Sequence, residues 1–215
     1  MKSLARRSTL IFDMDGVLWN SDAIHEAAYR TVLEPIGVNV PIYSNLAGRR
    51  TDEVICMLLK QSGLNKSEEE IKALAASKQA FARKKLEATP PLTPNCREVL
   101  KLLKSKYRLA LASSASKGSV EVFLRTSQTA SFFETILSGS DVVNAKPAPD
   151  IYSKALFLMN IDASEAYVIE DSVSGLMAAA GAALDVIIYR NHSLRNHASG
   201  RVLDVIDTLD ELAVL

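Results

Sequence analysis

The sequence predicts an α/β fold in which a parallel sheet domain is interrupted by an inserted domain of helices. From residue 91 onward, apolar runs of strand length alternate with helical patterns. One further apolar run, Thr9 to Phe12, comes before a stretch that contains helical patterns only. The simplest arrangement assigns residues 1–18 and 91–215 to the sheet domain and residues 19–90 to a helical cap that could act as a lid.

The first strand and the cap helices follow from local patterns. Thr9 to Phe12 is an uninterrupted apolar run, which is typical of a buried parallel strand. Ser67 and Glu70 form a capping-box pattern at the start of the last cap helix. The prolines of segment 89–94 disfavour helix and mark the domain boundary. The cap helices are predicted over residues 21–33, 51–63 and 67–88.

Beyond the boundary, strands and helices alternate regularly. Such alternation favours parallel strands joined by helical crossovers, so all strands are expected in one sheet. The predicted strands span residues 108–112, 135–137, 166–169 and 185–189. The predicted helices span residues 95–105, 117–127, 150–159 and 174–180, with a short closing helix over 207–214.

Composition excludes several functional classes. The 215 residues are 48% hydrophobic, and 25 basic residues balance 25 acidic ones. No basic stripe suited to nucleic acid is present, and neither nucleic acid nor a membrane is expected as a partner. The basic start of the chain is followed by an apolar run that ends at Asp13, too soon for a secretory signal. A cytoplasmic monomer is expected, with Cys56 and Cys96 as buried free thiols.

Two carboxylates, Asp13 and Asp15, follow the first strand. Residues i and i+2 of an extended segment point to the same side, about 6 to 7 Å apart at about 3.3 Å per residue. This geometry suits one nucleophile and one proton donor, and Gly16 permits the turn that follows. Capped turns and calcium loops use the same residue types, so the tetrapeptide alone leaves those interpretations open.

Other predicted strands also end in polar residues. Ser113 and Ser114 offer hydroxyls and backbone amides to a phosphate, although an ordinary helix cap has the same composition. Lys146 lies in a loop that prolines stiffen, and Glu170 and Asp171 form a second carboxylate pair. Mg²⁺ prefers carboxylate, water and phosphate oxygens. Together these residues predict a Mg²⁺-dependent phosphoryl-transfer site.

Four ordered segments resemble the motifs of the haloacid dehalogenase (HAD) superfamily: Asp13-Met14-Asp15-Gly16, Ser113, Lys146-Pro147 and Glu170-Asp171-Ser172. The helical insertion resembles the cap of the branch that contains phosphoglycolate-phosphatase-like enzymes and β-phosphoglucomutase. The resemblance implies a Rossmann-like parallel sheet core (HAD-like) with an inserted α-helical cap.

The resemblance also implies roles for these residues. Asp13 would attack phosphorus to form an aspartyl phosphate, and Asp15 would act as acid and then base, its protonated form needing a shielded site. Mg²⁺ would bind Asp13, the main-chain carbonyl of Asp15 and Asp171, with Glu170 bound directly or through water. Phosphoryl oxygens would be held by Ser113, Ser114 and Lys146.

Several activities fit this resemblance. The leading expectation is a phosphatase acting on a small phosphorylated metabolite, a sugar phosphate. A hexose-phosphate mutase shares every core residue, and a noncatalytic metabolite sensor is the alternative from another class. A dehalogenase lacks the acid found at Asp15, and no cap lysine, Lys60 included, stands in a recognisable phosphonatase signal.

The cap contributes candidates for substrate contact. His25, Gly48, Arg49 and Arg50 resemble β-phosphoglucomutase-like positions. Gly48 would bring the backbone close to substrate, and one arginine would bind a second anionic or hydroxylated group. A loop that leads into a helix, with exposed arginines, is the alternative, and His25 is assigned a structural role. Trp19 either narrows the pocket or packs against the cap.

Overall fold

The computed structural model describes residues 7–198 and 200–214. Six strands form one sheet in the order β3-β2-β1-β4-β5-β6, and every neighbouring pair is parallel. The predicted α/β fold is therefore confirmed, while the expectation for the first six residues lies outside the described ranges. The strands are β1 Thr9–Phe12, β2 Arg108–Ala112, β3 Thr135–Leu137, β4 Ala166–Glu170, β5 Asp185–Tyr189 and β6 Arg201–Ile206.

The sixth strand was not predicted from the sequence. Only Val205 and Ile206 of β6 are buried, and Arg201 and Asp204 break its apolar pattern. This edge strand forms because β5 supplies hydrogen-bonding partners, with a register shift after Val186. The closing helix predicted over residues 207–214 is a 3₁₀ helix, Leu209–Val214.

The described residues include seven α-helices, three of them in the insertion between β1 and β2. Their bounds lie within two residues of those predicted, and Ser67 and Glu70 form the expected reciprocal capping box. Helices α4 and α5 cover one face of the sheet, and α6 and α7 cover the other. The helices are α1 Asp22–Leu33, α2 Thr51–Gln61, α3 Glu68–Ala88, α4 Cys96–Lys104, α5 Lys117–Ser127, α6 Asp150–Met159 and α7 Val173–Gly181.

The strand β1 is the centre of the core. Leu10 and Phe12 belong to the apolar cluster under α4 and α5, whereas Ile11 belongs to the cluster under α6 and α7. Period-two alternation explains this division, because successive side chains of a strand point to opposite faces. Both faces of β1 are buried, which agrees with its uninterrupted apolar sequence.

The helices α1, α2 and α3 form a separate apolar cluster between β1 and β2, which supports the predicted cap. Toward its end, α3 also reaches the sheet domain through Ala82 and Leu86. The boundaries after residues 18 and 90 stay a prediction. Trp19 is fully buried and packs edge-to-face on Phe123 of α5, with ring centroids 5.3 Å apart, so it lies in the core.

Within residues 7–198 and 200–214, no helix has both the length and the hydrophobicity of a membrane span. Cys56 and Cys96 are free thiols; Cys96 is buried and Cys56 is partly exposed.

Candidate active site

The candidate site lies where β1, β2 and β4 end side by side. Asp13 follows β1, Ser113 follows β2, and Glu170 is the last residue of β4. Because β1 lies between β2 and β4, these side chains converge at one edge of the sheet. The chain builds β2 and β3 on one side of β1 and β4 on the other, and open α/β sheets bind ligands at such a switch point.

Lys146 joins the strand ends. Its side chain is fully buried, and Nζ lies 2.5 Å from Asp13 Oδ1 and 2.8 Å from Glu170 Oε1. Nζ also donates to the carbonyl oxygen of Ala112 at 3.1 Å. Burial lowers the pKa of Lys146, but the charges of Asp13 and Glu170 hold it well above its usual value. Lys146 is therefore a fixed positive charge beside Asp13.

Glu170 accepts hydrogen bonds on both carboxylate oxygens. Oε1 accepts from Lys146 and from the hydroxyl of Tyr152 at 2.9 Å. Oε2 accepts from the backbone nitrogens of Asp171 and Ser172 and from the Ser172 hydroxyl, at 3.0 to 3.1 Å. Burial raises the pKa of Glu170, but Lys146 and these donors hold it below its usual value. Glu170 is thus ionised and held in place.

Three carboxylates fit a divalent cation. One oxygen each from Asp13, Glu170 and Asp171 lie within 4.8 Å of one another. Burial and the charge of Glu170 raise the pKa of Asp13 to about 8 and that of Asp171 well above its usual value, although Lys146 opposes both effects. A cation would offset this repulsion, and the all-oxygen donor set suits Mg²⁺. Gly16, at φ 84°, leaves room for Asp171, because a Cβ there would lie 2.0 Å from Oδ2.

Without metal, the protein is expected to lose stability as the pH rises from about 6.5 to about 8. The pKa of Asp13 is about 8 in the folded protein, raised by burial from its ordinary value of 3.8, so the folded state binds more protons across this range. The free energy of unfolding then falls with rising pH. Urea unfolding in EDTA measures this fall, and Asp13→Asn should flatten it. A free energy of unfolding that rises across the range contradicts the prediction.

Asp15 is hydrogen-bonded to side chains of the cap, which form a relay that leads away from it. Its Oδ1 accepts from the Ser21 hydroxyl at 2.6 Å and lies 3.0 Å from His25 Nε2. The other ring nitrogen, Nδ1, lies 2.9 Å from Lys78 Nζ. A protonated lysine only donates, so Nδ1 accepts and Nε2 carries the hydrogen that is donated to Asp15. The structure thus places His25 between a buried lysine and Asp15.

These contacts determine the protonation states of Asp15, His25 and Lys78. Burial raises the pKa of Asp15, but His25 and Ser21 hold it below its usual value. Burial and the charge of Lys78 lower the pKa of His25, and burial lowers the pKa of Lys78 to about 8. Asp15 is shielded, as its predicted role requires, yet its hydrogen-bond donors keep it ionised in this arrangement.

The cap loop is docked on the sheet domain. Ser114 Oγ donates to the carbonyl of Gly48 at 2.8 Å, and Ser174 Oγ donates to that of Ala47 at 3.3 Å. Gly48 adopts φ 76°, and a Cβ there would lie 2.4 Å from the hydroxyl oxygens of Ser172 and Ser174. The close approach that the sequence predicted for Gly48 is therefore to these serines of the sheet domain.

The two arginines of the cap loop have different surroundings. Arg49 is exposed, and Nη1 lies 3.7 Å from the sulfur of Met57. Arg50 donates to the carbonyl of Val143 at 3.0 Å and lies 3.7 Å from Asp52. Arg50 therefore fastens the cap to the sheet domain, whereas Arg49 faces the cavity described next.

A cavity of about 30 Å³ separates the cap from the strand ends. This space is lined by the Asp13 carboxylate, which lies beside the Lys146 ammonium, by Asp15 and by the Ser113 hydroxyl. Such an arrangement is suited to nucleophilic attack on an anionic group. Its lining includes Asp13, Asp15, His25, Lys78, Ser113 and Arg49.

Sequence reasoning missed Lys78 and Tyr152. A signal for Lys78 existed, because it shares the buried face of α3 with Ala75 and Ala82. A lysine on an apolar helix face has to find a buried partner. Tyr152 gave no signal, since a tyrosine on the apolar face of α6 cannot be told from an ordinary core residue.

Comparisons with known proteins agree with this geometry. A sequence profile of haloacid dehalogenase-like hydrolases matches residues 10–189. A phosphorylated carbohydrates phosphatase from Thermotoga maritima is 32% identical over 192 residues, 87% of each chain. CbbY from Rhodobacter sphaeroides, solved with xylulose-(1,5)bisphosphate, superposes with a TM-score of 0.80 at 26% identity, covering 96% of each chain. The β-phosphoglucomutase of Clostridium difficile shares the fold, with a TM-score of 0.83 at 22% identity over 96% of this chain and 93% of its own.

Proposed function

The chain belongs to the haloacid dehalogenase-like hydrolase family, and we propose that it is a Mg²⁺-dependent phosphatase that acts on a small phosphorylated sugar. Family membership and similarity to a phosphatase of phosphorylated carbohydrates support a phosphoric monoester hydrolase. The observation that carries the proposal is the contact of Asp13 with Lys146 at the cavity between the cap and the strand ends, with Asp15 lining the same space.

Asp13 acts as the nucleophile. Its carboxylate attacks phosphorus, the ester P–O bond breaks, and an aspartyl phosphate forms. Lys146, 2.5 Å from Asp13, stabilises the negative charge that spreads over the phosphoryl oxygens. Mg²⁺, when held by Asp13, Asp171 and the main-chain carbonyl of Asp15, supplies charge that offsets repulsion between carboxylate and phosphate. Glu170, the third carboxylate of this cluster, would contact the cation directly or through water while it holds Lys146 and Ser172 in place.

Asp15 moves the protons. It gives a proton to the oxygen that leaves the substrate, and in the second step it takes one from the attacking water, which regenerates Asp13 and frees phosphate. Because Asp15 is ionised in this arrangement, it must first gain a proton. Lys78, whose pKa is about 8, can supply it through His25. This assigns His25 to proton supply, in contrast to the structural role expected from the sequence.

The hydroxyl residues take unequal parts. Ser113 is buried at the end of β2, and its Oγ accepts from the backbone nitrogen of Ala115 at 3.0 Å. Its own hydrogen has no acceptor among the described residues and is available to a phosphoryl oxygen. Ser114 donates to the cap loop instead. Ser113 and Lys146 are therefore the principal phosphoryl contacts, and Ser114 joins them only when its bond to Gly48 opens.

Replacing His25 by alanine should lower kcat by about 10²-fold, at the low end of what proton transfer by a side chain contributes. The change breaks the link from Lys78 to Asp15, so the dependence of kcat on pH should also shift. His192→Ala is the matched control, because the exposed side chain of His192 lies outside the site and pairs with Asp207, at 2.7 Å. Equal kinetics for both variants would contradict proton supply through His25.

The function is tested by incubating the protein with Mg²⁺ and a panel of sugar and other metabolite phosphates, and by measuring phosphate release. Release should stop in EDTA and return when Mg²⁺ is restored. Release that persists in EDTA contradicts Mg²⁺ dependence. No turnover over the whole panel, combined with tight binding of one metabolite, would favour a noncatalytic sensor instead.

A hexose-phosphate mutase is the second candidate. The docked cap favours it, because Ser114 and Arg50 hold the cap loop against the sheet domain, and a closed cap keeps water from an aspartyl phosphate. A labelled phosphoryl group would then move between two hydroxyls of one sugar without release of phosphate. Release without such transfer identifies the phosphatase.

A further inference from the structure

We propose that Gln79 is a specificity-determining residue that hydrogen-bonds hydroxyl groups of the leaving group. The preferred substrates are then phosphate monoesters of uncharged, polyhydroxylated compounds. This inference rests on the proposed phosphatase function and adds the chemistry of the part of the substrate that departs.

A second cavity adjoins the one at Asp13. It has a volume of about 190 Å³ and lies between the cap helices α2 and α3 and the loops that follow β2 and β3. A substrate whose phosphoryl group meets Asp13 would extend its remaining atoms into this space. The two cavities share the lining residues Thr51, Gln79, Ser114, Ala115 and Ser116.

Gln79 lies at the junction of the two cavities. It follows Lys78 on α3, is half-buried, and has no hydrogen-bond partner in the part of the chain that the structure describes. Its amide offers two donors and one acceptor, which matches the hydroxyl groups of a polyol. A ligand that fills the cavity displaces water from this amide, so a ligand whose hydroxyl groups hydrogen-bond the amide is favoured.

The charges around the second cavity disfavour a second anionic group. Arg50 is 3.7 Å from Asp52, and Lys72 is 2.6 Å from Glu68, so both cations of this cavity already have carboxylate partners. Asp52 itself lines the cavity and repels anions. Arg49 lines the cavity at Asp13, where the transferred phosphoryl group requires positive charge. The second cavity therefore favours the recognition of neutral hydroxyl groups.

The test compares hexitol 6-phosphate with n-hexyl phosphate, which has the same number of carbons and no hydroxyls. Sites built to hydrogen-bond a hydroxyl discriminate strongly against analogues that lack it. Wild-type protein should therefore have the larger kcat/KM for hexitol 6-phosphate. Gln79→Leu should lower that value by about tenfold or more and change the value for n-hexyl phosphate by less than about twofold.

Gln61→Leu is the matched control, because it makes the same change at an exposed position of α2 outside both cavities. Equal losses for both esters, or no loss for either, would overturn the role of Gln79. A preference for fructose 1,6-bisphosphate over hexitol 6-phosphate would overturn the assignment of an uncharged leaving group.

A binding measurement separates this inference from the proposed function. Asp13→Asn protein, which is expected not to turn substrate over, is titrated with hexitol 6-phosphate by calorimetry, with and without Gln79→Leu. If wild-type protein releases no phosphate even from p-nitrophenyl phosphate, the phosphatase proposal fails. Weaker binding after Gln79→Leu would still support hydroxyl recognition, and unchanged binding would refute it.

Discussion

Asp13→Asn is expected to lower phosphatase turnover by about 10⁴-fold or more, on the order of the loss when a nucleophile is removed. The amide has nearly the volume of the carboxylate, and its oxygen can still accept from Lys146, so the fold should persist. It cannot form the acyl phosphate. Acid quenching of wild-type protein with a ³²P-labelled substrate should trap label on the chain, and the variant should trap none.

Asp162→Asn is the control for this substitution. Asp162 is exposed and caps the turn before β4, and asparagine caps turns and helices about equally well. Its turnover should match that of wild-type protein. Asp13→Asn protein that retains full turnover would refute an aspartyl phosphate on Asp13 and the proposed function with it.

Lys146→Met should destabilise the metal-free protein by about 3–5 kcal/mol, the cost of leaving a buried charge without its partner. Methionine keeps much of the length of lysine but leaves Glu170 and Asp13 without their ammonium. Turnover should fall by about 10²- to 10³-fold, because a preorganised charge on the phosphoryl group is lost. Urea unfolding and steady-state kinetics measure the two effects.

Adding Mg²⁺ distinguishes the effect of Lys146 on stability from its effect on turnover. A bound cation also neutralises Asp13, so added Mg²⁺ should restore part of the lost stability but little of the lost turnover. Lys101→Met, at an exposed position of α4, is the control and should be nearly neutral. A Lys146→Met protein as stable as wild-type in EDTA would mean that the ion pair with Glu170 contributes nothing.

Much of the site could be predicted because its residues follow buried strands. Asp13, Ser113 and Glu170 each stand at the end of an apolar run, and the carboxyl ends of parallel strands meet at one edge. A local pattern was therefore enough to place them together. Lys146 was predicted from its motif, and its bridge between Asp13 and Glu170 appeared only in the structure.

The cap could be predicted less well. Periodicity located α1 and α3, but it does not show which residues of two helices meet. His25 and Lys78 are 53 positions apart and form a hydrogen bond because α1 packs against α3. Gly48 was expected to approach substrate, yet in the structure its backbone approaches Ser172 and Ser174, which come much later in the sequence.

Local sequence patterns were enough to predict the α/β class, the inserted helices and the acids at the strand ends, because strand and helix periods and turn residues act over a few neighbouring positions. The contacts between distant segments depend on the packing of whole elements and could be seen only in the folded protein. These are the bond of Lys146 to Asp13 across 133 positions, the pairing of β6 with β5, and the chain from Lys78 to Asp15. Such contacts depend on how whole elements pack, and a buried polar group takes whichever partner that arrangement brings within reach.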